Sequence, residues 1–258
     1  MDNNRIIEEL SLNQWPALST LLYDGWILRF SEGFTKRANS INPIYHSTCD
    51  LTMKIRECEH IYAANHLPTT YKITPFIQPE QLDHTLEQVG YTRLDMTSVQ
   101  TLKLNCIREP QLTSVTIDEH ISTEWLHNFY HIHNVNDGDK DIMERMLANI
   151  RTKRGLISLY DEGQVVACGL GIIERAYIGL YDIVTHIPYR NRGYGEQLIL
   201  NLLKWGRENG ATHSYLAVVA NNTPARKLYA KLGYEEIYKY WYRIGSGKIL
   251  NDHHRIYD

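Results

Sequence analysis

The chain has only four cysteines in 258 residues, and Cys49, Cys58, Cys106 and Cys168 show no C-x-x-C spacing. Such scattered cysteines suit reduced thiols in a cytoplasmic protein better than a disulfide framework. The chain also lacks the run of about 18 apolar residues that a membrane helix needs. Its opening stretch, MDNNRIIEELSLNQW, has neither a basic n-region nor an apolar h-region, so no secretory signal is expected. There is no excess of positive charge: the net charge of −3 gives no electrostatic case for nucleic acid. His127, His131 and His133 share a helix-spaced stretch, but no neighbouring carboxylate or cysteine completes a known ligand pattern, so no metal is expected. What remains is an ordinary globular composition, 43% hydrophobic and 22% charged, in a chain sized for one large or two small domains.

The most informative stretch runs from Ile183 to Leu198. A strand-like run ends at Pro188, R-x-x-G-x-G comes next at Arg190, Gly193 and Gly195, and a helical stripe of Leu198, Leu202 and Trp205 takes over. Two glycines just before a helix let backbone N–H groups converge where a phosphate oxygen can sit, and the helix N-terminus adds about half a positive charge. A plain strand-turn-helix has the same pattern, so the residues downstream carry weight. After Gly210 comes the β-rich Thr212–Val219, then Asn222-Thr-Pro-Ala225 and the string Leu228-Tyr-Ala-Lys-Leu-Gly-Tyr234.

In that order, R-x-x-G-x-G, N-x-x-A and L-Y-x-K-L-G-Y resemble the GNAT superfamily of acetyl-CoA-dependent N-acetyltransferases. The resemblance implies an α/β fold: a mixed, strongly twisted sheet with helices on both faces, in the order ααβββαβαβ. It also implies that the phosphates are those of coenzyme A, with acetyl-CoA as cosubstrate.

A faint copy of this half precedes it. Gly90-Tyr91 and Gly233-Tyr234 lie 143 residues apart, and the same shift lays Thr69 on Thr212, Tyr71–Ile77 on Ser214–Ala220, and Gln81–Val89 on Pro224–Leu232. Leu51, Ile55, Cys58 and Tyr62 form a helical stripe beneath the Gly195–Gly210 helix. At the functional positions the copy has lost its chemistry: Arg190, Gly193 and Gly195 fall on Ser47, Asp50 and Thr52, and Asn222 and Tyr229 on Pro79 and Leu86. An Asp in the cradle repels phosphate, and β-carbons block its close approach. The expectation is therefore a tandem GNAT (acyl-CoA N-acyltransferase) fold. A degenerate N-terminal lobe spans 1–108 and a catalytic domain spans 109–258, with Pro110 at the boundary and a mobile end over Ile249–Asp258. An internal pair of this kind favours a monomer, with a dimer left open.

Aminolysis of a thioester requires a held coenzyme, a neutral amine, a stabilised oxyanion and a protonated leaving thiolate. Backbone amides of Arg192, Gly193, Tyr194, Gly195 and Glu196, beside Arg190, are the pyrophosphate candidates. The resemblance places the pantetheine along Ile183 and Val184, where that strand splays from the next. It matches Asn222 to the asparagine on the coenzyme arm, although a helix N-cap before Pro224 explains that residue equally. It matches Tyr229 to the tyrosine that protonates the thiolate; a phenol of pKa about 10 facing a thiol of about 8.5 makes that transfer only slightly uphill. A packed core tyrosine is the plain alternative.

The general base is less defined. Ala217 stands where some members of the family carry a strand Glu. Asp182, expected on the face of Ile178, Leu180 and Val184, would have a raised pKa suited to a base. Glu174, a water chain or a purely structural Asp182 remain open. The acceptor is a primary amine of a small molecule or peptide. A non-catalytic acyl-CoA-binding sensor or scaffold is the rival reading, and O-acyl transfer or a longer acyl group fits the same residues. The first lobe is expected to shape the acceptor side through Arg37, Asn39 and Ser40, after an expected hairpin turn at Glu32-Gly33; strand residues that simply face solvent are the plain alternative.

Overall fold

The computed structural model describes residues 3–245, so the expected mobile end over Ile249–Asp258 lies outside the described residues. The first half runs α1 (Asn3–Gln14), β1 (Ser19–Tyr23), β2 (Trp26–Phe30), β3 (Ile41–Asn42), α2 (Leu51–Ala64), β4 (Thr70–Ile73), α3 (Leu82–Gln88) and β5 (Thr92–Lys103). The second runs β6 (Val115–Asp118), α4 (Thr123–His133), α5 (Asp137–Ala148), β7 (Lys153–Asp161), β8 (Gln164–Glu174), β9 (Tyr177–Thr185), α6 (Tyr194–Glu208), β10 (His213–Val219), α7 (Thr223–Leu232) and β11 (Glu235–Ile244). Among the described residues, no helix is long and apolar enough to cross a membrane.

Local chemistry explains most boundaries. Ser122 caps α4 by accepting the Trp125 N–H at 3.1 Å, and Asn134 ends that helix in the left-handed conformation at φ 55°. The polar Asn134–Asp139 stretch gives its second half to α5, because Asp137 and Asp139 suit a first helical turn. Glu162-Gly163, both at positive φ, turn β7 into β8. Glu32-Gly33 forms no tight hairpin: it opens a long connection to β3, and the hairpin lies instead at Asp24-Gly25, between β1 and β2.

All eleven strands join one sheet in the order β1-β2-β3-β4-β11-β5-β10-β9-β8-β7-β6. The shift of 143 residues superposes α2 on α6, β4 on the start of β10 and α3 on α7. The last strand of each copy has crossed over. β5 pairs with β10 of the other half, β11 pairs with β4, and the two run antiparallel side by side with Thr92 opposite Ile244 and Thr101 opposite Glu235. Thr92 and Glu235 are counterparts, as are Thr101 and Ile244, so a pseudo-twofold axis passes between these strands.

Helices α1, α4 and α5 cover one face of the sheet with a core including Leu10, Trp15, Phe129, Met146, Tyr181, Tyr215, Tyr238 and Tyr240. On the opposite face, α6 packs through Leu198, Ile199, Leu202 and Leu203, and α2 and α3 do the same for the first half through Ile55, Cys58, Tyr62, Leu82 and Leu86. Tyr238, Tyr240 and Tyr242 alternate along β11, all buried on the α1 face.

Candidate active site

The loop from β9 to α6 holds the glycine motif. Gly193 sits at φ 85°, a conformation that favours glycine, and an added β-carbon there meets nothing within 4 Å. The intrahelical ladder of α6 starts with the Gln197 N–H donating to the Gly193 carbonyl at 3.1 Å, so the amides of Tyr194, Gly195 and Glu196 precede it. Side chains around this turn are engaged outside the cradle. Arg190 donates Nε to the Thr185 carbonyl at 3.1 Å, and Arg192 lies 5.6 Å from the centre of the Tyr189 ring. Tyr194 donates its hydroxyl to Asp161 at 2.6 Å. Glu196 is buried between Lys231 at 2.5 Å and Arg108 at 2.6 Å, and these cations hold its carboxyl below the usual range. What this turn presents outward is backbone N–H.

The parallel pairing of β9 with β10 covers only His213–Tyr177, Ser214–Ile178 and Tyr215–Gly179. Beyond Gly179 the strands separate, and β10 stays bonded to β5 on its other side as far as Val219–Thr97. A gap therefore opens between Leu180–Thr185 and Leu216–Val219, leading to the α6 N-terminus. Inside it β9 bulges: Cys168 pairs with Val184 and Leu170 with Tyr181, so Asp182 and Ile183 together oppose Gly169. A β-carbon on Gly169 would come within 2.6 Å of the Ile183 side chain and 3.3 Å of the Asp182 carbonyl, so glycine is what admits the bulge. His133, on α4, braces it by donating Nε2–H to the Asp182 carbonyl at 3.1 Å.

The bulge corrects one expectation. Strict alternation places Asp182 with Ile178 and Leu180, but those two pack beneath α6, while Tyr181 and Val184 pack on the α1 face. The Asp182 carboxylate lies on that second face, where His133 and Arg37 act on it. Burial raises its pKa and outweighs the lowering by His133 and Arg37. The backbone of Asp182 sits at φ 49°, in the left-handed region.

Tyr229 approaches from the other face. It is half-buried on α7 among the α6 core residues, with its ring 5.8 Å from that of Tyr234. Its hydroxyl has no hydrogen-bond partner among the described residues, and desolvation pushes its pKa up to about 12. Such a phenol holds its proton more tightly than one in water, which favours hydrogen-bond donation to a thiolate over full transfer. Asn222 caps α7, accepting the Ala225 N–H at 3.2 Å.

Other candidates stand apart. Glu174 accepts from Asn13 Nδ2 at 2.9 Å at the β8–β9 turn, the end where β9 and β10 are still paired, so it is remote from the gap. Surface clefts lined by Leu12, Asn13 and Thr20 open at that same end. His127 is exposed and His131 meets His186 edge-on at 5.2 Å, so the three histidines serve different contacts. Asn39 is spent inside its loop, accepting from Ser31 N at 2.7 Å and Gly33 N at 3.0 Å.

The first half shows what the cradle becomes without a phosphate. Asp24 accepts from the amides of Thr48 and Cys49, both at 2.9 Å, and from Ser47 Oγ and Thr48 Oγ1 at 2.8 Å. Lys54, whose side chain is fully buried, reaches Asp24 at 3.1 Å and sits 4.1 Å from the centre of the Trp26 ring. Asp50, the counterpart of Gly193, accepts the Met53 N–H at 3.0 Å. Amides left open in the second half are taken by the chain's own carboxylates here, and sequence pattern carries no sign of Asp24 because it is distant in the chain.

Comparison with known proteins identifies the family. Residues 3–243 match the family described as "Probable histone acetyltransferase Rv0428c C-terminal". The Bacillus subtilis (strain 168) protein named "Uncharacterized N-acetyltransferase YobR" is 31% identical over 259 residues, which cover 95% of this chain and 99% of that one. A GCN5-related N-acetyltransferase from Kribbella flavida has the same fold at TM-score 0.70 and 16% identity, over 95% of this chain and 97% of its own. A tandem GNAT protein from the clavulanic acid biosynthesis pathway superposes at TM-score 0.62 and 12% identity, over 93% and 87%. The chain belongs to the GNAT superfamily of N-acetyltransferases and has a tandem GNAT fold whose N-terminal copy is degenerate.

Proposed function

We propose that the protein transfers an acetyl group from acetyl-CoA to a primary amine by direct aminolysis, acting in the cytoplasm, and that the second half alone holds the coenzyme. The observation that carries this reading is the gap between β9 and β10, which ends at an uncapped helix N-terminus and is flanked by Asp182 on one face and Tyr229 on the other. Amides of Arg192 to Glu196 receive the pyrophosphate. Backbone groups of Ile183 and Val184, unpaired toward β10, receive the pantetheine amides and polarise the thioester carbonyl.

The two faces then divide the chemistry. Asp182 accepts a proton from the ammonium, directly or through water, and its raised pKa brings it nearer to that task. The freed nitrogen lone pair attacks the thioester carbon, the C–O π electrons move to oxygen, and strand N–H groups hold that oxyanion. Collapse breaks the C–S bond and places the electron pair on sulfur, where the Tyr229 hydroxyl donates a hydrogen bond. The second nitrogen proton passes through water to the sulfur, which leaves as the thiol, and Asp182 returns its proton to solvent. Amine and acetyl thioester become acetamide and free coenzyme thiol, with no other reactant.

Release of coenzyme thiol on incubation with acetyl-CoA and a panel of primary amines tests this reading. Turnover with at least one amine is expected. Saturable acetyl-CoA binding with no turnover across the panel would instead favour the sensor or scaffold.

A further inference from the structure

A cleft of about 380 Å³ opens at the end of the fork where β9 and β10 are still paired, the end opposite the glycine cradle. That volume falls in the range of small-molecule sites, about 300–1,000 Å³. The first half supplies Leu12, Pro16 and Ala17 at the end of α1, and the second supplies Arg151, Thr152 and Glu174. β7 and β8 pair Lys153 with Ile173, so Thr152 falls beside Glu174, one residue further on. Thr152 Oγ1 and Glu174 Oε2 are both buried with no hydrogen-bond partner among the described residues. The other carboxylate oxygen of Glu174 accepts from Asn13 Nδ2 at 2.9 Å and lies 3.6 Å from Arg175 Nε, which fixes the group in place. Buried oxygens of this kind are costly until something donates to them.

Arg151 is exposed and has neither an ion-pair nor a hydrogen-bond partner among the described residues. Its neighbours are committed: Lys153 pairs with the Glu119 carboxylate at 2.9 Å, and Arg154 donates to the Glu119 carbonyl at 3.1 Å and the Leu147 carbonyl at 2.8 Å. The charge of Arg151 adjoins that of Arg154, so an anion beside it gains from both. The cleft thus combines a fixed acidic acceptor, an uncommitted cation and an apolar wall. A lone anion there would meet the buried Glu174 oxygen, and a lone ammonium would leave Arg151 without a counter-ion.

We propose that this cleft binds a free amino acid with an apolar side chain, its ammonium donating to Glu174 and Thr152 and its carboxylate paired with Arg151. A planar guanidinium suits two-pronged recognition of a carboxylate. The side chain lies against Leu12, Pro16 and Ala17. A second cleft, of about 270 Å³, shares Leu12 and continues the wall to Leu22 and Ile27, which gives larger side chains room. The site lies apart from the acetyl-transfer machinery, and its occupancy does not depend on that chemistry.

Calorimetric titration of the intact chain, without acetyl-CoA, compares leucine with two half-ligands: leucinamide, which lacks the carboxylate, and isocaproate, which lacks the ammonium. Leucine is expected to bind at one site and to raise Tm, with each half-ligand weaker by about 10–10²-fold, the scale of a hydrogen bond to a charged group. Arg151→Ala removes an exposed side chain without a partner, so the Tm of the free chain should hold while leucine affinity falls to that of leucinamide. Arg151→Lys should restore part of the loss. Glu174→Gln should bring leucine affinity toward that of isocaproate, and acetyl-CoA affinity should hold in every variant. Leucine that gives neither heat nor a shift in Tm would overturn the proposal and leave the two oxygens to water. Equal binding of leucine and leucinamide would overturn it too, as would leucine affinity that Arg151→Ala leaves intact, since the amino acid would then sit elsewhere on the chain.

Discussion

Gly193→Asp places in the second cradle the residue type that its counterpart position already carries. The β-carbon meets no heavy atom within 4 Å, so the cost to the fold is the left-handed backbone, about 1 kcal/mol for a residue other than glycine. A carboxylate at a helix N-terminus returns about 0.5–2 kcal/mol by capping, as Asp50 does toward the Met53 N–H at 3.0 Å. Stability should therefore change by no more than about 1 kcal/mol. The pyrophosphate fares differently. A unit charge about 5 Å away costs about 1–3 kcal/mol between aqueous and protein-surface dielectrics, and an amide diverted to the new cap removes a charge-assisted hydrogen bond worth about 1.5–3 kcal/mol. The sum corresponds to a loss of about 10²–10⁴ in affinity. Calorimetric titration with acetyl-CoA, alongside thermal unfolding, reads both quantities, with Gly193→Ala separating backbone strain from charge. A Kd within twofold of wild type in a folded Gly193→Asp variant would refute the cradle assignment.

Three further substitutions probe separate links. Tyr229→Phe should leave Tm unchanged, since the hydroxyl has no hydrogen-bond partner among the described residues, while single-turnover acetyl transfer slows by about 10–10²-fold. Asp182→Asn should reduce kcat/KM at neutral pH and remove the acid limb of its pH profile without lowering Tm. The folded pKa of Asp182 is raised, so ionising it as pH climbs from about 4 weakens the native state, and an asparagine, tolerated at φ 49°, is spared that cost. Asp24→Asn should lower Tm at neutral pH with acetyl-CoA affinity unchanged. Bonds from Cys49, Ser47 and Thr48 hold the Asp24 carboxyl well below its ordinary range, so its stabilisation is present above about pH 4 and lost as pH falls, and thermal scans between pH 3 and 7 should show that acid dependence flattened in the variant.

Local periodicity and turn chemistry are legible in the sequence. The α6 stripe, the β-rich run after Gly210 and the shift of 143 residues all appear where the pattern puts them. Long-range pairing is not legible. β5 and β11 look alike to any local rule, and only the assembled sheet shows that each has crossed to the other half. The sequence misplaces the face of Asp182 because period-two alternation assumes an unbroken ladder, whereas Gly169 permits a bulge that restarts the count. β6, with four residues, and α1, with its short Ile7 and Leu10 stripe, carry too little pattern to stand out. Gln14, at the end of α1, accepts from Tyr215 at 2.8 Å beneath the fork where β9 and β10 part, a contact spanning most of the chain.

The most direct measurement is amide hydrogen exchange on the intact chain with and without acetyl-CoA. The account expects new protection at the backbone of 183–184 and 192–196, with segment 49–53, the counterpart of 192–196, unchanged because Asp24 and Asp50 already hold amides there. Equal protection in both cradles, or protection confined to the first half, would contradict it.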